Sequence, residues 1–384
     1  MNTFNYQYPV RQHFGKECAY NAIKDEMLHV GKRVMLAYGG GSIKRSGLYD
    51  KIHSWLEECG KEVIDFGGIM PNPTYRKVQE GAKVVCEKNI DFILAVGGGS
   101  VIDCCKIISS QACMEENAWD AWYVNHSLPT KFIPMGAVVT ASGTGAEQNN
   151  GAVITNEEKK LKQPLFGAFH TFAILDSDLT KTVPMKQVIS GAFDTLSHCM
   201  ETYMGKPQST NLSDEINEAV MRSVIKNLRS LIANPDDDFA RGELMWASAM
   251  AENGMLKLGK QTDFQCHMIE HAVGAYTDCN HGQGLAVIHP TLYRHLLAEG
   301  KEKLARMAKE VWGVEGDTQE ETAAKGIDAL EAFIKEIGLP TRWSEMGITD
   351  ENALRAAADT CFLTPGCCKQ FSRNEIFEVL KECM

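Results

Sequence analysis

A chain of 384 residues with 44% hydrophobic and 23% charged residues has the composition of a globular protein and is too long for one ordinary core, so two domains are expected. Its formal charge of −11 argues against nucleic acid or an anionic membrane as the main partner, because both recruit a basic face. Residues 1–17 lack the apolar core of a secretory signal, and no run approaches the ~18 apolar residues that span a bilayer. Thirteen cysteines are scattered without CxxC spacing, with Cys104/Cys105 and Cys367/Cys368 adjacent, so reduced thiols in a cytoplasmic protein are expected.

Along the chain, a short extended start at Tyr6–Val10 precedes a helix over Glu17–Leu28. The run RVMLAY, Arg33–Tyr38, reads as a buried strand that ends in Gly39, Gly40, Gly41 and Ser42. A helix over Gly47–Cys59 follows, with Leu48, Ile52, Trp55 and Leu56 on one stripe. A strand at Glu62–Phe66, the breaker Pro71–Pro73 and a helix over Thr74–Lys88 come next. A second apolar strand, Asp91–Val96, runs into Gly97, Gly98, Gly99 and Ser100 and then a helix through Ser110. Strands alternating with helices imply a parallel sheet covered on both faces. Phe132–Val139 reads as a further strand before the hydroxyl-rich loop TASGTGAE, Thr140–Glu147. Gly151–Thr155 and Leu165–Phe169 pair as a small antiparallel flap, and Phe172–Leu175 is a last strand. Beyond Pro184 only helical patterns remain, joined by turns such as Asn234–Asp238 and Gly338–Arg342. The domain boundary is expected near residue 185.

A strand entering GGGS and leaving as a helix lets backbone amides approach an anion at a helix N-terminus. Gly97–Ser100 has this layout, with Asp103 and Lys106 one turn further on. Neither element is GxGxxG or a Walker A loop. Either alone also reads, less favourably, as a tight turn without a ligand, and two in one sheet strengthen the case for a nucleotide. The first turn is followed by Lys44 and Arg45, which suit a 2′-phosphate, whereas Asp65 stands where an NAD-reading acid is often found. The two hints conflict.

Between Phe193 and Gly284, Asp194/His198 and His267/His271 are each spaced i, i+4, which places both side chains on one helix face; His281 follows. A lone histidine on an apolar helix is more often core than ligand. A carboxylate with up to four imidazoles, however, suits a borderline cation such as Fe²⁺ or Zn²⁺. Spacing leaves five candidate ligands open.

GGGSVIDCCK, the T-x3-T-G-x-E loop from Thr140 to Glu147, DTLSH from Asp194 and H-x3-H-x9-H from His267 together closely resemble the iron-containing (group III) alcohol dehydrogenases. YGGGSIKRSG, FGGIMPNP, AVGGGS and Lys162/Gln163 are similar to that family's NADPH-dependent butanol dehydrogenase and broad aldehyde reductase branch, and the likeness covers essentially the whole chain. The resemblance implies an α/β dinucleotide-binding domain over residues 1–185 and an all-α metal-binding domain over 186–384. The architecture is dehydroquinate synthase-like, with a cleft between the domains. It implies Asp194, His198, His267 and His281 as ligands of one divalent metal, Fe²⁺ ahead of Zn²⁺, and leaves His271 as the catalytic proton-relay residue. Gly39, Gly40, Gly41 and Ser42 would flank the 2′-phosphate of NADP(H). Gly97, Gly98, Gly99, Ser100 and Asp103 would line the pyrophosphate and nicotinamide side, with Thr140, Thr144 and Lys162 completing the cofactor contacts. The implied reaction is reversible hydride transfer between NADPH and short-chain aldehydes such as butanal, in a homodimer. A glycerol or diol dehydrogenase, or a dehydroquinate-synthase-like lyase, is the alternative; the lyase needs a basic pocket, and no cluster of Arg and Lys surrounds His267–His281. Ala146 and Cys104/Cys105 depart from the family's usual residues. Trp246, Met250, Met255, Leu256 and Phe264 are apolar candidates for a substrate pocket.

Overall fold

The continuous apolar runs RVMLAYG and FILAVG form strands whose inner residues are all buried, as a parallel sheet covered by helices requires. The computed structural model describes residues 2–207 and 209–384. It divides into one unit of residues 7–184 and a second of residues 185–384 joined by the segment up to Tyr6.

In the first unit the strands are β1 (Arg11–Phe14), β2 (Arg33–Gly39), β3 (Glu62–Ile69), β4 (Phe92–Gly97), β5 (Met135–Val139), β6 (Gly151–Asn156), β7 (Leu161–Phe166) and β8 (Phe172–Leu175). The helices are α1 (Ala19–Met27), α2 (Ser42–Arg45), α3 (Leu48–Glu58), α4 (Tyr75–Lys88), α5 (Gly99–Gln111) and α6 (Ala118–Tyr123). Six strands make one parallel sheet in the order β1-β8-β5-β4-β2-β3. Ile23 of α1 and Ile52 and Leu56 of α3 share a core with Val34, Leu36, Leu94 and Val138 on one face; α5 lies against β2, β4 and β5. The chain places β3 on one side of β2 and then crosses to put β4 on the other. That reversal opens a crevice at the carboxyl ends of β2 and β4, the usual ligand position in open α/β sheets. Both glycine turns stand there.

The structure moves several expected elements. The first strand is Arg11–Phe14 rather than Tyr6–Val10, because Pro9 has no N–H to give a ladder. The flap pairs Gly151–Asn156 with Leu161–Phe166, not with Leu165–Phe169. The intervening turn is closed by the Lys159 amide donating to Asn156 Oδ1 at 3.1 Å, and that sets the register. Helix α6 was not anticipated; Asn117 caps it by accepting from the amides of Trp119 and Asp120.

The second unit is helical: α7 (Met185–Tyr203), α8 (Leu212–Ala233), α9 (Asp238–Glu252), α10 (Gln265–Thr277), α11 (His281–His295), α12 (Leu297–Met307), α13 (Gln319–Glu336), α14 (Glu351–Thr360) and α15 (Arg373–Glu382). Phe193, Leu196 and Met200 of α7, Ile269 and Val273 of α10, and Leu285 and Ile288 of α11 are buried in one apolar core. Burial of each such side chain contributes about 1.5–3 kcal/mol, which fixes three helices against one another where the polar residues converge. Among the described residues no helix is long and apolar enough to cross a membrane, and all thirteen cysteines are free thiols.

Candidate metal centre and glycine turns

Helical periodicity sets Asp194, His198 and Glu201 of α7 on one face, at i, i+4 and i+7. Helix α10 presents His267, Glu270 and His271. Helix α11 begins at His281, and Asn280 caps it: its side chain accepts from the Gln283 amide at 3.2 Å and from Ser190 Oγ at 2.5 Å. The next residue must be small. A Cβ at Gly282 would lie 2.2 Å from the Ser190 carbonyl oxygen, so glycine lets the start of α11 seat against α7 and carries His281 to Asp194.

At the convergence, His267 Nε2 and His281 Nε2 each lie 3.4 Å from Asp194 Oδ1. The potential ligand atoms of Asp194, His267 and His281 all fall within 4.8 Å of one another. His198 Nδ1 is 3.8 Å from the same carboxylate oxygen, and the His198 ring stacks on His267 with centroids 4.5 Å apart. Asp194 Oδ1, His198 Nδ1 and His267 Nε2 are buried without a hydrogen-bond partner. Unmet buried polar atoms are costly, and one oxygen and two nitrogens aimed into the same space are the donor set a borderline divalent cation takes. The residues fit such an ion. His271 stands aside, its ring 5.3 Å from His281 and 6.0 Å from His267, although Glu270, His271 and His281 also offer atoms within 4.8 Å.

The charges agree with this reading. Burial opposes ionisation of Asp194, yet the imidazoles of His198, His281 and His267 hold its carboxyl well below the usual range. For His267, burial opposes the proton while Glu201 and Asp194 push its pKa up to about 10; Glu270 and Asp194 likewise raise His281 against burial. Burial lowers His198. The cluster is acidic and draws positive charge.

Two acids behind the site were not singled out from the sequence. Glu201 Oε2 contacts His267 Nδ1, and Glu270 Oε2 contacts His281 Nδ1. Both continue helical faces already recognised, at His198+3 and His267+3, and that spacing was the available signal. Of the apolar pocket candidates, Phe264 packs against the rings of His198 and His267, with centroids 5.9 and 5.2 Å away. Leu256 is core and Trp246 is 37% exposed.

In the first unit, the residue capping the start of α5 is Gly98, which supplies no side-chain cap and leaves the N-terminal dipole available to an anion. The loop after β5 lies on this turn. The Thr140 amide donates to the Gly97 carbonyl at 3.0 Å, and a Cβ at Gly99 would sit 2.5 Å from Thr144 Oγ1. Asp103 Oδ2 accepts from the Val153 amide at 2.8 Å, tying α5 to the flap on whose second strand Lys162 is buried. Beside Gly39–Ser42, the Lys44 ammonium lies 4.9 Å from the Tyr38 ring centre and 4.6 Å from that of Tyr49. Tyr49 Oη donates to Asp65 Oδ2 at 2.7 Å, so the acid that conflicted with a 2′-phosphate is already engaged. Space above Gly40 is open.

Comparison with known proteins bears on both halves. Residues 9–177 match the family model for iron-containing alcohol dehydrogenase, and residues 188–384 match that for the C-terminal part of the Fe-containing alcohol dehydrogenase family. The chain is 39% identical to the probable NADH-dependent butanol dehydrogenase 1 of Bacillus subtilis (strain 168) over 99% of both chains. It is 35% identical to the NADPH-dependent aldehyde reductase YqhD of Escherichia coli (strain K12), covering 91% of this chain and 90% of that one. The crystal structure of NADH-dependent butanol dehydrogenase A from Thermotoga maritima superposes with a TM-score of 0.93 at 32% identity, covering 100% of this chain and 99% of that one. Matched in both halves by family models and along nearly its whole length by relatives, the chain belongs to the iron-containing alcohol dehydrogenase family.

Proposed function

We propose that this protein is a metal-dependent alcohol dehydrogenase and aldehyde reductase that transfers hydride reversibly between NADP(H) and short-chain aldehydes such as butanal. The observation that carries the reading is the trio Asp194, His267 and His281, the first two buried and the third partly buried, with both Nε2 atoms 3.4 Å from one carboxylate oxygen. Asp194, His198, His267 and His281 are the proposed ligands, Fe²⁺ the proposed ion and Zn²⁺ its substitute. When bound, the ion supplies Lewis-acid polarisation of the alcohol or aldehyde oxygen and the nicotinamide supplies the hydride. Residues 1–185 are the proposed cofactor domain and 186–384 the metal domain, of a cytoplasmic homodimer.

The chain's own residues supply position and protons. Gly97, Gly98, Gly99 and Ser100 form an uncapped helix start that receives a pyrophosphate, and Thr140 and Thr144 pack directly on it. Asp103 and Lys162 hold the flap side of the same site. His271, next to His281, is the proposed residue that hands a proton to the developing alkoxide. Preference for NADP(H) rests on Gly39, Gly40, Gly41 and Ser42, which place no acid at the end of β2, and on the cation Lys44 beside them. Among the relatives, the Bacillus subtilis enzyme is named NADH-dependent and YqhD NADPH-dependent, so the choice is a property of each chain. A kinetic panel from ethanal to hexanal with both cofactors tests it. A higher kcat/KM with NADPH is expected; preference for NADH contradicts the cofactor assignment, and no turnover with either contradicts the enzyme assignment.

A further inference from the structure

We propose that Glu201 and Glu270 are positioning residues that hold the ligating forms of His267 and His281 in the tautomer whose Nε2 lone pairs face Asp194. The inference rests on the metal reading above and assigns what selects between the two nitrogens of each ring. A neutral imidazole carries its proton on one nitrogen and offers a lone pair at the other, and the partner of the first decides which. An ionised carboxylate only accepts. Glu201 Oε2 and Glu270 Oε2 contact the Nδ1 atoms of His267 and His281, so the proton belongs on Nδ1 and the lone pair on Nε2. Both Nε2 atoms then converge on Asp194 Oδ1.

Each acid is itself immobilised. Helix α10 has no side-chain cap at Phe264; Glu201 provides one from α7, accepting from the Cys266 amide at 2.6 Å and the His267 amide at 3.2 Å. Those two backbone donors require Glu201 to present acceptors. Glu270 is fully buried and accepts from Cys279 Sγ at 3.6 Å. A Cβ at Gly284 would lie 2.9 Å from Glu270 Cγ, so glycine there makes room for the carboxylate.

The test replaces each acid by its amide. In Glu201→Gln the Cys266 amide keeps its acceptor at the position of Oε1, while the NH₂ takes the place of Oε2, facing His267 Nδ1 and withdrawing the acceptor of the His267 amide. Nδ1 becomes the acceptor, and the proton moves to Nε2, where it opposes a cation. Affinity for Zn²⁺, measured by competition with a chelator, is expected to fall about 10- to 100-fold in Glu201→Gln and in Glu270→Gln. The imidazole ¹⁵N shifts of the Zn²⁺-loaded parent are expected to show the proton on Nδ1 of His267 and of His281. Glu270→Asp keeps an anionic acceptor and is expected to retain more affinity than Glu270→Gln, whichever variant is the more stable. Affinities within twofold of the parent in both amide variants overturn the proposal, as does equal loss in Glu270→Asp and Glu270→Gln. Asp194→Asn separates this failure from failure of the metal reading. If Zn²⁺ binding survives Asp194→Asn unchanged, the site itself is wrong; if it is lost there but not in the amide variants, only the positioning role is wrong.

Discussion

Gly39→Asp places a carboxylate at the end of β2, where the proposed 2′-phosphate of the cofactor lies. The backbone there is not in the left-handed region, but a Cβ meets the Ile69 carbonyl oxygen at 3.3 Å and Val101 Cγ2 at 3.6 Å. The neighbour must give by a few tenths of an ångström, at about 1 kcal/mol, and this affects both cofactors alike. Repulsion is selective. A unit charge about 5 Å from a phosphate of charge near −2, in an effective dielectric of about 40–80, costs about 1.5–3 kcal/mol, a factor of roughly 10 to 100. The assay is kcat/KM for NADPH and for NADH at saturating aldehyde, with Gly39→Ala measuring the packing contribution alone. NADPH efficiency is expected to fall by that factor in Gly39→Asp and not in Gly39→Ala, with NADH much less affected. An unchanged NADPH/NADH ratio refutes the placement of the 2′-phosphate beside Gly39.

Gly99→Ala forces a methyl to within 2.5 Å of Thr144 Oγ1 and is expected to weaken binding of both cofactors more than tenfold while metal content stays at the parent value; fluorescence titration of the nicotinamide checks this. His271→Ala is expected to lower kcat more than it lowers metal content, whereas complete loss of metal would make His271 a ligand. His289, fully buried on Ser197 Oγ at 2.7 Å, has its pKa pushed down to about 4 by burial. The unfolded chain binds that proton near pH 6.5 and the folded chain does not, so this stability is present above pH 6.5 and lost as pH falls towards 4. About 2 kcal/mol is lost by pH 5. Urea unfolding at pH 7 and pH 5 measures the difference, and His289→Gln is expected to lose that part of the acid sensitivity.

Alternation of apolar runs with helical stripes was enough to read the α/β sheet and the helical half, because buried parallel strands carry the pattern in consecutive residues. Local geometry was less legible. Pro9 delayed the first strand, and a side-chain-closed turn at Asn156 moved the flap register by several residues. In the candidate site, i, i+4 spacing grouped Asp194 with His198 and His267 with His271, but the structure draws His267 and His281 to Asp194 and sets His271 aside. That regrouping depends on how α7, α10 and α11 pack, including the contact of Gly282 with Ser190, which no local spacing encodes. The Glu201 bond to the Cys266 amide joins residues 65 apart and was invisible for the same reason. The cofactor choice is open in the sequence because Lys44 and Asp65 point in opposite directions, and the Tyr49 hydrogen bond to Asp65 joins residues that no local pattern pairs.

The central claim is that catalysis depends on an ion held at Asp194, His267 and His281. Protein stripped with a chelator, verified metal-free by elemental analysis and assayed with NADPH and butanal, is predicted to lose turnover and to regain it when Fe²⁺ or Zn²⁺ is restored to one ion per chain. Full turnover by the metal-free protein would contradict it.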